Sequence, residues 1–128
     1  MIDYNLKIIS WNIRGLGARQ LQSSFTLTNN ATIKLNYLAS IDADIICLQE
    51  CKCAYLHAIK YIVLNLLKDY HYFSINGNNY TGGLITLIKK STFPLASSSI
   101  NNDRLLTVNV KYNNNTLSII NLYACNWS

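Results

Sequence analysis

Three apolar runs in this sequence end in polar residues: Trp11-Asn12, Gln49-Glu50, and Tyr123 to Asn126. If each run is a strand, each polar group stands at a strand end. In an open sheet the carboxyl ends of parallel strands are where ligands gather. A carboxylate at one strand end beside an asparagine at the next offers hard oxygen donors. Such a pair suits magnesium, which keeps several waters and needs only one or two protein carboxylates. Each residue taken singly has a plainer reading. Glu50 is then a solvated strand-terminal acid, Asn12 ahead of Arg14-Gly15 a turn residue, and Tyr123 a half-buried strand aromatic. His57 and His71 lack the Asp or Ser neighbours that would mark a charge-paired base, and read as surface or helix-end histidines.

The elements that must position these residues follow from periodicity. Residues 6–12 read as a strand with Gly15 and Gly17 as breakers after it, and 18–30 as a surface loop. Residues 32–40 predict a short helix with Ile33, Leu35 and Leu38 on its apolar side. After a turn at 42–44, the run Ile45-Ile46-Cys47-Leu48 has the pattern of a strand buried on both faces. Residues 55–69 predict an amphipathic helix, because Leu56, Ile59, Ile62, Val63, Leu66 and Leu67 recur at spacings of three and four. Strands are expected at 71–75 and 84–88, a loop around Pro94 and Ser97–Ser99, and a hairpin of 105–112 and 116–124 about Asn113–Asn115. The class is α/β (α+β) with a mixed sheet.

Composition narrows the function. The 128 residues fit one domain, and half of them are hydrophobic, as expected for a packed core. No apolar run is long enough to span a membrane, and the first residues, Met1-Ile2-Asp3-Tyr4, lack the pattern of a secretory signal. An intracellular product, nuclear or cytoplasmic, is expected. In that setting Cys47, Cys51, Cys53 and Cys125 are free thiols, and no second pair complements Cys51 and Cys53 at a zinc-ligand spacing. The net charge of +5 favours a polyanionic partner.

Four segments, in order, resemble the endonuclease/exonuclease/phosphatase superfamily: Ile-Ile-Ser-Trp-Asn-Ile-Arg-Gly-Leu at 8–16, Asp-Ile-Ile-Cys-Leu-Gln-Glu-Cys-Lys at 44–52, Gly-Gly-Leu-Ile at 82–85, and Asn-Leu-Tyr-Ala-Cys-Asn at 121–126. They are most similar to the endonuclease domains of long-interspersed-element retrotransposons and to apurinic-site endonucleases. The resemblance implies two sheets packed face to face with helices outside each, an α/β/β/α sandwich. This chain is expected to supply the first sheet and its helices. It also implies a magnesium-dependent phosphodiesterase, with manganese as the alternative ion, acting on DNA. Glu50 would be a metal ligand. Asn12 would sit beside the metal and orient the phosphate or its waters. Tyr123 would contact the scissile phosphate, and Asn126 would line the same site.

The resemblance also sets limits. The family's later Gly-Asp-Phe-Asn and Ser-Asp-His segments, which carry the Asp and His for proton transfer, are not in this sequence, and Cys125 stands where relatives have proline. Residues 1–128 are therefore expected to be the N-terminal part of such a domain, needing a C-terminal half or a partner chain. An uncovered sheet face of several hundred Å² is expected, with marginal or aggregation-prone behaviour of the chain alone. Two other readings stand beside cleavage of DNA: an inactive remnant that binds nucleic acid, and a lipid or inositol phosphate hydrolase. The Trp-Asn-Ile-Arg-Gly-Leu opening and the tyrosine-asparagine ending favour nucleic acid.

Overall fold

Strand alternation sorts the apolar side chains of this chain into two cores, one on each face of a central sheet. The computed structural model describes residues 5–99 and 102–124. In chain order the elements are β1 (Ile8–Asn12), β2 (Ala18–Leu21), β3 (Ser24–Leu27), α1 (Asn29–Ile41), β4 (Ile45–Gln49), α2 (Lys60–Leu66), β5 (Tyr70–Ile75), β6 (Leu84–Lys89), β7 (Ala96–Ser98), β8 (Leu105–Tyr112) and β9 (Asn115–Leu122). The central sheet has the order β1-β4-β6-β5. β1 runs parallel to β4, and the other pairs are antiparallel. The class is α/β (α+β) with a mixed sheet, as expected.

β4 shows the sorting most clearly. Ile46 and Leu48 face the helices, in a core with Leu35, Leu38, Ile59, Val63, Ile85 and Leu87. Ile45 and Cys47 face the other way, in a core with Leu84, Ile88, Phe93, Leu106, Val108 and Val110. The last three of these belong to a second sheet, β7-β8-β9. The chain therefore does not stop at one sheet with its helices. It folds its own C-terminal strands over the face expected to lie bare. Period-2 alternation in β8 (Leu106, Val108, Val110 buried; Leu105, Thr107, Asn109 half-buried) supplies the inner face needed for that packing. The apolar surface left open lies elsewhere. It includes Ile8 on the edge strand β1, 60% exposed, and Ile120 and Leu122 on the edge strand β9, 60% and 58% exposed.

α1 starts where Thr28 caps it, its hydroxyl accepting the Ala31 N–H at 3.2 Å, and stops at Asp42 in the left-handed conformation. Ala31, Leu35 and Leu38 form its buried stripe, whereas Ile33 points outward at 65% exposure. α2 is shorter than the periodicity predicts. Leu56 and Ile59 are buried as expected, but the Leu56 N–H is taken by Asn76 Oδ1 at 2.8 Å and the Leu56 carbonyl by the Tyr72 hydroxyl at 2.7 Å. Backbone groups spent on tertiary bonds cannot also close helical turns. Two expected loops contain strands. Residues 18–27 form the β2–β3 hairpin, held by Phe25 against Tyr55 at 4.8 Å between ring centres and by the Tyr55 hydroxyl on the Ala18 carbonyl. The serine-rich stretch after Pro94 supplies β7, which pairs with β8. The β8–β9 hairpin turns at Asn113 and Asn114, both at positive φ (50° and 65°), the pair of left-handed residues a two-residue hairpin loop requires.

Candidate functional site

β1 and β4 end side by side, with Asn12 in register with Gln49, so Asn12 and Glu50 stand at the carboxyl ends of adjacent parallel strands. β6 is antiparallel to β4 and begins at that same end, with Leu48 opposite Ile85. This brings Gly82-Gly83 there too. Backbone bonds lace the three segments together: Ile13 N–H to the Gln49 carbonyl (3.1 Å), Gly15 to Glu50 (2.7 Å), Leu16 to Cys51 (2.9 Å), Cys51 to Gly83 (3.0 Å) and Lys52 to Gly82 (2.8 Å). Lys34 adds its ammonium to the Ile13 and Gly15 carbonyls at 3.1 and 2.9 Å.

The lacing holds strained backbone. Arg14, Glu50 and Lys52 all adopt positive φ, at 52°, 53° and 51°. A residue with a Cβ pays about 1–2 kcal/mol for that conformation. Three within two joined loops are maintained by the bonds around them, and strain of this kind concentrates where a loop must present a side chain in one orientation. Here the residue presented is Glu50. The residue is half-buried, and among the described residues its carboxylate has neither a hydrogen bond nor an ion pair. The Asn12 oxygen accepts the Arg14 N–H at 3.1 Å, so Asn12 does act as a turn residue, and among the described residues its amide group makes no other hydrogen bond.

The donor set fits a hard cation in one respect. It is all oxygen, and magnesium accepts one carboxylate with waters. No group of three or more His, Cys, Asp or Glu among the described residues forms a ready-made cage. Beneath the loop, Cys51 is fully buried and its thiol is pushed well up by desolvation, then by the neighbouring Cys53. Burial likewise raises Cys47 to about 11, against a smaller effect of the Thr86 hydroxyl. These thiols stay protonated and act as core. His71 Nε2 meets the Phe93 carbonyl at 2.9 Å. His57 does acquire a serine neighbour in space, Ser74 Oγ at 2.9 Å from Nδ1, with no carboxylate completing the pair among the described residues.

Tyr123 follows β9, its N–H donating to the Arg104 carbonyl at 2.9 Å. It is half-buried and walls an open cleft of about 340 Å³ together with Arg104, Asp103, Asn76, Asn78 and Gly82. Gly82 also accepts from Lys52, so this cleft adjoins the Glu50 loop. Asn126 lies outside the described residues. The cations nearest these segments in the chain are Arg14 and Arg104, both exposed, and Lys52, half-buried.

A family profile described as endonuclease/exonuclease/phosphatase matches residues 9–123. The chain belongs to this family. Among solved structures, the endonuclease/exonuclease/phosphatase fold recurs in the AP endonuclease LMAP of Leishmania major, at TM-score 0.67 and 22% identity. That match covers 94% of this chain and 40% of the other. The APE2 catalytic domain of Xenopus laevis superposes at TM-score 0.55 and 22% identity, over 92% of this chain and 45% of the other. The chain thus spans less than half the length of either neighbour. No curated protein matches the sequence significantly.

Sequence reasoning missed Asn121, Thr86 and Arg104. Asn121 and Thr86 had a signal: each is a polar residue at an inward position of an otherwise apolar alternation, and both are buried, at 1% and 0% exposure. Arg104 had none, since an exposed arginine beside a turn is common.

Proposed function

We propose that this chain is the N-terminal part of a divalent-metal-dependent phosphodiesterase domain that cuts DNA, of the retrotransposon endonuclease type. Magnesium is the expected ion and manganese the alternative. The observation that carries the reading is the Glu50 carboxylate, without a hydrogen bond or ion pair among the described residues and held on a strained loop by bonds to the segments of Asn12 and Gly82-Gly83. When bound, the cation supplies Lewis acidity toward a phosphoryl oxygen. Glu50 would hold it, and Asn12 would orient the phosphate or the ion's waters. Tyr123 would contact the scissile phosphate from its cleft, with Asn126 beyond it. Arg14, Lys52 and Arg104 suit a polyanionic strand better than a compact headgroup, because they belong to three separate segments.

The group that moves protons would come from a C-terminal segment or a partner chain, since neither histidine has a carboxylate partner among the described residues. That same observation supports a second reading, in which the chain binds nucleic acid without cutting it. Incubation of the chain with an abasic-site duplex, in magnesium, in manganese and in chelator, separates the two. Nicking that needs metal and disappears in Glu50→Gln supports the first reading. Absence of nicking, with metal-independent binding that weakens steeply with salt, supports the second. Sequencing the transcript past the Ser128 codon provides a further check, through an Asp-x-Asn segment and a terminal Ser-Asp-His.

A further inference from the structure

Two side-chain amides at the junction of the two sheets touch all four strands that lead into the candidate site. Asn121, on β9, is 1% exposed. Its Nδ2 donates to the Leu48 carbonyl of β4 (3.2 Å), to the Ile85 carbonyl of β6 (3.0 Å) and to Thr86 Oγ1 (3.2 Å). Its Oδ1 accepts from Gln49 Nε2 at 2.9 Å. Gln49 Nε2 in turn reaches Ser10 Oγ on β1 (3.1 Å) and the Cys47 carbonyl (3.2 Å). The amide orientation is forced, because two backbone carbonyls surround Nδ2 and can only accept. Each of the four strands contributes an anchor within two residues of a site segment: Ser10 before Asn12, Gln49 before Glu50, Ile85 after Gly83, and Asn121 before Tyr123.

We infer that Asn121 and Gln49 are positioning residues, a carboxamide pair that sets the Glu50 loop against the Tyr123 segment. An apolar pair of the same shape would fill the space equally well, but would not fix the rotation of one sheet's strand ends against the other. Directional bonds do that, and a buried polar network whose members are all satisfied specifies one arrangement. The inference deepens the proposed function and rests on it for its catalytic meaning. Its structural content stands on the hydrogen bonds alone.

The test reads loop order directly, by amide hydrogen exchange on the full chain. Gln49→Met keeps length and shape and removes only the half-exposed amide, so the fold is retained. Asn121→Asp places an acceptor against the Leu48 and Ile85 carbonyls and is the harsher variant. The amides of Gly15, Cys51 and Lys52, which bond across the site, are expected to exchange at least about fivefold faster in Gln49→Met, the factor for losing one hydrogen bond. Amides of the β5–β6 pair and of the turn end of the β8–β9 hairpin keep their rates. Unchanged rates at Gly15, Cys51 and Lys52 would overturn the inference. So would a uniform acceleration across the sheet, which would make the pair ordinary core. Titration of parent and Glu50→Gln chains with manganese chloride tests the metal reading separately. No binding by the parent would remove that reading, while selective loop exchange would still establish the positioning pair.

Discussion

Replacing Gly83 by alanine probes how firmly the Glu50 loop is held, and Gly82→Ala supplies the comparison. Both glycines have positive φ, 89° and 72°. A Cβ at Gly82 would meet only Gly77 Cα at 3.5 Å, an ordinary contact. Its cost is the left-handed backbone, about 1–2 kcal/mol. A Cβ at Gly83 would lie 3.2 Å from both Cys51 Cβ and the Lys52 nitrogen, so the loop must give by a few tenths of an ångström. That movement weakens the bonds from Cys51 to Gly83 and from Lys52 to Gly82, adding about 1 kcal/mol, the usual net value of one hydrogen bond. The totals are about 2–3 kcal/mol for Gly83→Ala and about 1–2 kcal/mol for Gly82→Ala. Unfolding entropy of about 2.1 cal/mol/K per residue over the 128-residue chain corresponds to about 0.27 kcal/mol per degree. Melting should therefore fall by about 7–11 °C and about 4–7 °C respectively, read by circular dichroism in one buffer. A Gly83→Ala chain melting no lower than Gly82→Ala would show that the loop yields freely. The packing of Gly83 on Cys51 could then not be what holds Glu50 in place.

Leu106→Ala removes a side chain buried between the two sheets and should cost about 2–5 kcal/mol in chemical denaturation; a loss under about 0.5 kcal/mol, typical of surface sites, would mean the second sheet does not close that face. Cys47, Cys51 and Cys53, all buried and with raised thiol pKa values, should react slowly with Ellman's reagent at about pH 8 in the native chain and rapidly in denaturant. Complete reaction of the native thiols within the mixing time would refute their burial. Asp44 is partly desolvated, which raises its pKa, but bonds from the Thr92 hydroxyl and the Lys7 N–H, with Lys89 and Lys7 nearby, bring the net shift below the ordinary value. The charged form is thus favoured by folding, so its contribution is present above about pH 4 and is lost as pH falls through the depressed native pKa. Asp44→Asn should flatten the acid limb of a melting-temperature profile, and an identical limb in both chains would contradict that.

The sequence by itself determined the strand and helix positions with strong period, because burial imposes its spacing on the chain. Ile45–Leu48 reads as a strand buried on both faces, and it is one. The motifs at 8–16, 44–52, 82–85 and 121–126 likewise pointed to the family whose profile spans 9–123. Periodicity does not record which backbone groups another element will claim. The tertiary structure alone therefore delayed the start of α2 to Lys60, through Asn76 and Tyr72 on Leu56. It also built β2–β3 and β7 from segments with little apolar pattern, whose strand character comes from a partner edge rather than from their own residues. Only the tertiary structure placed β7–β9 over the central sheet, since an alternating strand specifies that one face is buried and not what buries it. The same holds at the site. Glu50, Asn12 and Tyr123 were visible as residue types at strand ends, whereas the amide pair of Asn121 and Gln49 depends on residues 72 positions apart meeting across two sheets.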